Sequence, residues 1–374
     1  MTTRERFLKI VHFEQPDYVP YWYAPGIGLA HIETVEGWRH NEGYPSDNDS
    51  LVEFWGAEGY AGVGLHTGFL PGFPVEHTDL GDGYVLIKQH KAETRELADN
   101  SDFYTMPEYK TYMFEDRRDW EEHMRPRLDP DNPDRPKPTV PETQPDQPLS
   151  VHCPSYIGTL RTWFGLDTIS YIMRDDPALI HEINRATTDL FLSQAHHVAE
   201  RIQIDAVTGW EDICYRSGML LSPAAFEEFC APYYREIADF AKEVGAAVID
   251  VDCDGDISEF VHCLWGAGVN MCHAFEPTHG GSDIIRIREE LPRFIVCGGL
   301  DKHAMVDPDP ATAIAEIDAK VPPMLAKGGY LPSIDHGLPP HCRYAPFWHF
   351  MNRIREHCGA PAAPFQEAGA PGAQ

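Results

Sequence analysis

Ala246-Ala247-Val248-Ile249-Asp250-Val251-Asp252-Cys253-Asp254-Gly255-Asp256 is the stretch on which the reading of the fold turns. Its apolar start, Ala246 to Ile249, has the character of a buried parallel strand. The strand then runs into Asp250, Asp252, Asp254 and Asp256, and helical periodicity follows Gly255 through Ile257, Phe260, Val261 and Leu264. Asp256 and Ser258 are candidate caps for that helix. Carboxylates this close repel one another, and the arrangement is tolerable where water, a cation or hydrogen-bond donors face them. A solvated loop of capping aspartates is the plain alternative. The place favours function, because α/β sheets and barrels carry their sites at the carboxyl ends of strands.

The same texture extends outward. Strands are expected near 149–153, 204–209, 246–252, 268–275, 294–299 and 329–334, with helices near 177–201, 223–243, 257–266, 283–291, 309–326 and 343–357. Short apolar strands alternating with helices mean a parallel sheet, and this many units over 374 residues predicts a (β/α)8 TIM barrel, with a doubly wound sheet as the alternative. The N-terminal third must supply the remaining strands. It reads as an amphipathic helix over 3–13, a first strand in the proline-bracketed aromatic run 16–23, an antiparallel strand over 84–96 within an inserted β-hairpin, and a Pro-rich surface loop over 125–148. One barrel domain is expected over 1–358, followed by a disordered Ala/Pro/Gly tail over 359–374.

Charge and composition exclude several classes. The formal net charge is −29, from 59 acids against 30 bases with no basic run, which argues against a nucleic-acid partner. The start of the chain has no apolar signal core, and no stretch approaches ~20 uninterrupted apolar residues, so no membrane association is expected. Nine scattered cysteines without a C-x-x-C pair argue against a disulfide framework or a zinc ribbon. A cytoplasmic location fits these features.

In a barrel, the residues following each strand meet at one face. Here these are His152-Cys153, Trp210-Glu211-Asp212, Asp252-Cys253-Asp254, His273 with Glu276, Gly298-Gly299-Leu300-Asp301-Lys302, and Asp335-His336. Each alone has a bland reading: the cysteines as core fillers, Glu211 as a helix cap, Lys302 as the partner of an acid. Together they support two chemistries. Asp252, Asp254 and His336, joined by Glu276 or Cys253, could bind a divalent metal, with zinc the expected ion. Alternatively the same groups hold an organic ligand and move a proton, with His336, Glu211 or Asp254 as catalytic groups. The Gly298-Gly299 turn would let backbone approach a ligand closely.

The chain resembles the uroporphyrinogen decarboxylase superfamily. The resemblance is carried by R-E-R-F-L with P-D-Y-V-P-Y-W near the start, W-E-D at 210–212, L-S-P-A-A-F-E-E-F-C-A-P-Y-Y at 221–234, D-C-D-G-D at 252–256, F-E-P at 275–277, C-G-G-L-D-K at 297–302 and G-G-Y-L-P-S-I-D-H-G-L-P-P at 328–340. It implies a (β/α)8 barrel and one of two chemistries. The decarboxylases carry R-Q-A-G-R-Y after the first strand, where this chain has Y-W-Y-A-P-G-I-G-L-A without arginine. The other branch comprises corrinoid-linked methyltransferases, several of which bind zinc through H-x-C-G and a later cysteine. Those positions fall here on Asp252-Cys253-Asp254-Gly255 and beside His336, so hard oxygen ligands replace thiolates.

The resemblance therefore implies a methyltransferase taking a methyl group from a small methylated, O-demethylase-type donor to a corrinoid (B12) carried by a partner protein. Tyr21, Trp22 and Tyr23, the aromatic residues of 55–60, and Trp210, His273 and Asp301 are the expected donor-binding residues. A decarboxylase-like lyase and a non-catalytic barrel binding a small ligand or the corrinoid protein are the alternatives.

Overall fold

The computed structural model describes residues 1–23, 34, 37–38, 56–98, 107–277, 281–339 and 341–362. Eight parallel strands ring a common axis: β1 (Trp22–Tyr23), β2 (Glu58–Gly59 and Ala61–Val63, interrupted at Tyr60), β3 (Leu149–His152), β4 (Ala206–Trp210), β5 (Val248–Cys253), β6 (Met271–Ala274), β7 (Ile295–Cys297) and β8 (Tyr330–Leu331). Each pairs in parallel with the next in sequence. The ring closes where the Trp22 N–H donates to the Pro332 carbonyl at 3.0 Å. This is the expected α/β barrel.

The strands form where apolar and β-branched residues run together. Helices cover them where apolar residues recur at helical spacing. Helices Pro177–Ala199, Ile284–Glu290, Pro310–Lys327 and Tyr344–Cys358 stand where the sequence places them. The helix expected over 223–243 is two helices, Pro223–Phe229 and Ala231–Val244, separated at Cys230. Pro232 explains the break, since it has no N–H to continue the first helix's ladder. Helices Gly158–Phe164 and Leu166–Asp175 add to the expected set.

Helix Thr3–Val11 begins with a Thr2/Glu5 capping box and lies against the start of the barrel. Phe7 stacks on Trp22 at 5.0 Å, and Tyr60 meets both rings edge-on at 5.3 and 5.2 Å. Arg4 binds Asp205 through two bonds of 2.9 Å, and Arg6 binds Asp17 and Glu58. Tyr21 and Trp22, both buried, are thus core residues rather than the donor wall expected of them.

Between β2 and β3 lies an insertion larger than a hairpin. Val75–Asp79, Tyr84–Gln89, Ala92–Leu97 and Glu108–Thr111 form a four-stranded antiparallel sheet. The run over 84–96 is two strands rather than one, reversed at His90 and Lys91, with His90 at φ 53°. The Pro-rich loop that follows is fastened by Arg135. Its guanidinium donates to the carbonyls of His66, Gly68, Arg127 and Asp129. Of the expected tail, residues from 363 onward lie outside the described residues.

Candidate active site

Strand parity decides what β5 presents. Successive side chains alternate between faces, so Asp250 and Asp252 share one face and Val251 and Cys253 the other. Asp250 is fully buried and accepts from His273 Nδ1 at 2.8 Å, while His273 Nε2 stands 3.5 Å from Asp252. The imidazole thus bridges two aspartates along the barrel interior. Tyr60 Oη lies 3.5 Å from the other Asp250 oxygen. A cavity of about 300 Å³ opens beside it, lined among others by Tyr23, Tyr60, His152 and Thr208. Tyr23 and Tyr60 are the members of the expected aromatic wall that reach this cavity, and Trp55 lies outside the described residues.

Beyond β5 the chain turns at Gly255, whose φ of +86° is one that a side chain rarely adopts. A Cβ there would meet the Tyr215 backbone at 2.7 Å, so the glycine lets the two mouth loops touch. The turn presents Asp254 to His336, whose Nε2 donates to Asp254 Oδ1 at 2.6 Å. The other ring nitrogen of His336 is 3.1 Å from Glu276 Oε1. Glu276 is held from behind by the Gly255 N–H at 3.2 Å and faces Lys302 Nζ at 3.8 Å. Lys302 Nζ also stands 3.2 Å from the buried Asp335.

Asp252, Asp254, Glu276 and His336 therefore converge on the mouth, from the ends of β5, β6 and β8. As metal ligands they do not form one set of four. Asp254, Glu276 and His336 make one triad, with donor atoms within 4.8 Å of one another, and Asp212, Asp252 and Asp254 make a second. Asp254 belongs to both. Asp252 Oδ1, Asp335 Oδ2 and His336 Nδ1 are buried and make no well-formed hydrogen bond among the described residues, their close contacts there being the ion pairs with His273, Lys302 and Glu276. Buried polar atoms held only by such contacts are ones a cation or a polar ligand would satisfy. The donor set, carboxylate oxygens and one imidazole, suits a hard or borderline divalent ion.

Electrostatics separates the acids. Burial pushes the Asp252 carboxyl up to about 7, against the pull of His273. Burial and the nearby Asp254 charge push Asp212 up to about 6. Burial acts the same way on Asp254, but the His336 bond and the charges of His336 and Lys302 together outweigh it and hold this carboxyl below its ordinary range. On His336, burial opposes the charge and Asp254 more than compensates, so the imidazole is more basic than usual. Asp254 and His336 are thus a charged pair, beside two acids that hold their protons to higher pH than a carboxyl usually does.

Other expected residues lie elsewhere. Glu211 is fully buried, and its carboxylate accepts the backbone N–H groups of Tyr156, Ile157 and Gly158 and the Tyr234 hydroxyl, at 2.6 to 3.1 Å. It anchors the start of helix Gly158–Phe164. One residue on, Asp212 reaches the mouth with φ 42° and accepts from the Asp254 N–H at 3.4 Å. Asp301 caps the turn Lys302–Met305, accepting from the His303 N–H. Trp210 is half-buried at the end of β4, packed over Gly158. Gly298 and Gly299 allow close approach of the Ala274 carbonyl and the Ile284 side chain.

Cys253 is buried on the opposite face of β5, and burial raises the thiols of Cys253, Cys272 and Cys297 well above their ordinary pKa. They stay protonated and offer no thiolate to the mouth. Asp212, Asp250, Lys302 and Asp335 were collected at the strand ends by the sequence but given no role there, and the structure brings each into contact with the site. The Asp250/Asp252 spacing of two was a usable signal, because it places both on one face of a strand.

No curated protein sequence matches the chain. A solved methyltransferase from Methanosarcina mazei shares the fold with a TM-score of 0.56 at 13% identity, over 96% of this chain and 98% of that one. The family model for uroporphyrinogen decarboxylase (URO-D) matches residues 157–357, more than half of the sequence and every strand from β4 to β8. The chain belongs to the uroporphyrinogen decarboxylase family.

Proposed function

We propose that this member of the family is a methyltransferase of the O-demethylase type, which takes the methyl group of a small methoxylated donor and passes it to a corrinoid carried by a partner protein. The observation that carries this reading is the contact of His336 with Asp254 and Glu276 at the mouth, in a site without a thiolate. A thiol-activating centre would need soft ligands. Breaking a methyl–oxygen bond instead leaves an electron pair on oxygen, which must be protonated or neutralised.

Asp252, protonated up to about pH 7, is the proton source in this reading. His273, fixed by Asp250, orients it. Asp254, Glu276 and His336 would hold the divalent ion, with zinc the expected one; bound there it would draw charge from the donor oxygen. A cavity of about 300 Å³ is at the small end of ligand sites, which favours a single-ring donor lying between Tyr23 and Tyr60.

The test uses the intact chain, cob(I)alamin as methyl acceptor and a panel of methoxyarenes, with loss of the Co(I) absorbance as readout. Zinc-loaded wild type should transfer methyl, and His336→Gln should lower the rate on the order of 10²-fold or more. Full activity in His336→Gln, or coproporphyrinogen formed from uroporphyrinogen instead of methyl transfer, would overturn the proposal.

A further inference from the structure

The inserted sheet carries a second group of ligand-type side chains, on elements that contribute nothing to the mouth. His90 stands at the tip of the hairpin joining Tyr84–Gln89 to Ala92–Leu97, in the left-handed conformation noted above. For a residue with a side chain that conformation is uncommon and aims the ring in a fixed direction. The imidazole lies 4.8 Å from the Phe73 ring and, edge-on, 4.8 Å from the His123 ring. His123 follows Asp119 by four residues along the continuous helical segment Arg117–Asp119 and Trp120–Met124, so the two share one face. The second part of that segment is a π-helix, a conformation found often at functional sites.

Asp119 is only 3% exposed. Lys91 Nζ at 2.9 Å and the Glu115 N–H at 2.7 Å both bind its Oδ2, which orients the carboxylate and leaves its second oxygen for another partner. One donor atom from each of His90, Asp119 and His123 lies within 4.8 Å of the others. Around a tetrahedral zinc with bonds of about 2.1 Å, such atoms stand roughly 3.4 Å apart. The closure required is about an ångström, within reach of side-chain rotation at an exposed hairpin tip.

We propose that His90, Asp119 and His123 form a second divalent transition-metal site, for which zinc is the best fit, clasping the inserted sheet to the helical segment beside it. Two imidazoles and one carboxylate are a borderline donor set, which selects zinc, cobalt or nickel over magnesium and calcium. A fourth position stays open to water. The ammonium of Lys91 stands where it already neutralises Asp119, so the metal must compete with that charge, and the site binds more weakly than a four-ligand structural zinc. It shares no residue with the triads at the mouth and does not depend on the reaction proposed there.

Titration of the chelator-stripped full chain with Zn²⁺, followed by calorimetry and metal analysis, tests this. His90→Asn with His123→Asn should bind one equivalent fewer than wild type. An Asp254→Asn chain, disabled at the mouth, should still bind one. Should Asp254→Asn not fold, the difference between wild type and the His90/His123 double variant decides alone. Lys91→Met should tighten zinc binding several-fold, and Mg²⁺ should not compete. Equal zinc stoichiometry in wild type and the double variant would overturn the site. Unchanged or weakened affinity in Lys91→Met would overturn the ligation by Asp119.

Discussion

Replacing Asp252 with Asn should make the protein more stable. Asp252 is charged at neutral pH only against its surroundings, which push its pKa from 3.8 up to about 7. Roughly three units at about 1.4 kcal/mol each set a ceiling of about 4 kcal/mol. The side chain is 21% exposed, and solvent screening roughly halves that, to about 2 kcal/mol. The sign follows from linkage. The folded state holds this proton more tightly than the unfolded chain, so ionisation costs nothing below about pH 4. The penalty grows as pH rises toward 7 and is constant above that. Asparagine never ionises and escapes it. With an unfolding entropy of about 2.1 cal/mol/K per residue over 374 residues, about 2 kcal/mol corresponds to a Tm gain of roughly 2–3 °C. Thermal unfolding of Asp252→Asn and wild type, both in chelator so that no bound cation stabilises the charged form, should show curves that coincide near pH 4 and separate by that amount at pH 8. A difference independent of pH, or a destabilised variant at pH 8, would refute the argument. Under the proposed function the same variant should lose activity, a trade common at catalytic sites.

Glu211→Gln should destabilise the fold by about 1–3 kcal/mol in urea titration, because an amide cannot accept all the bonds now made to the carboxylate and its NH₂ would face donors. Gly255→Ala should cut activity at least tenfold while costing about 1–3 kcal/mol, since it combines a positive φ with a Cβ only 2.7 Å from the Tyr215 backbone; full activity would show that the turn does not place Asp254. Arg288→Met should cost about 3 kcal/mol or more by chemical denaturation, because this buried guanidinium donates to the carbonyls of Phe294, Lys327, Gly328 and Gly329, all of which would lose a partner.

The barrel was legible because each later unit repeats one pattern, a short apolar strand followed by a helix, and that pattern carries its own placement rule. Whatever follows the strand lies at the mouth. Asp252, Asp254, Glu276 and His336 are found together for that reason. Parity at the strand ends was not legible. Glu211 and Asp212 are adjacent, both acidic, and equally good candidates on paper. The strand ends at Trp210, before both, and the left-handed conformation of Asp212 sends one into the core and the other to the mouth, which composition does not encode. Tyr21 and Trp22 were misread for a related reason. An aromatic run says that something large is buried, and only the helix Thr3–Val11, packed against it, says by what. The inserted sheet was underestimated because its outer strands, Val75–Asp79 and Glu108–Thr111, are exposed along their length and leave no apolar alternation to follow.

Closing the ring between β8 and β1 has a kinetic meaning. At the seam, β1 has two residues and, among the described residues, one main-chain bond, from Trp22 to Pro332, joins it to its neighbour. A second tie is a side chain, the Tyr21 hydroxyl accepting the Ile334 N–H at 3.3 Å. The remaining strand contacts are multi-residue ladders. Local opening is easiest where the fewest bonds must break together, so the barrel should unlatch here, like a clasp, well before it melts. The Trp22 amide should exchange with deuterium faster than those of β5, although its side chain is fully buried. Ile334, on one side of this latch, stands two residues before His336, so each opening would also loosen the mouth.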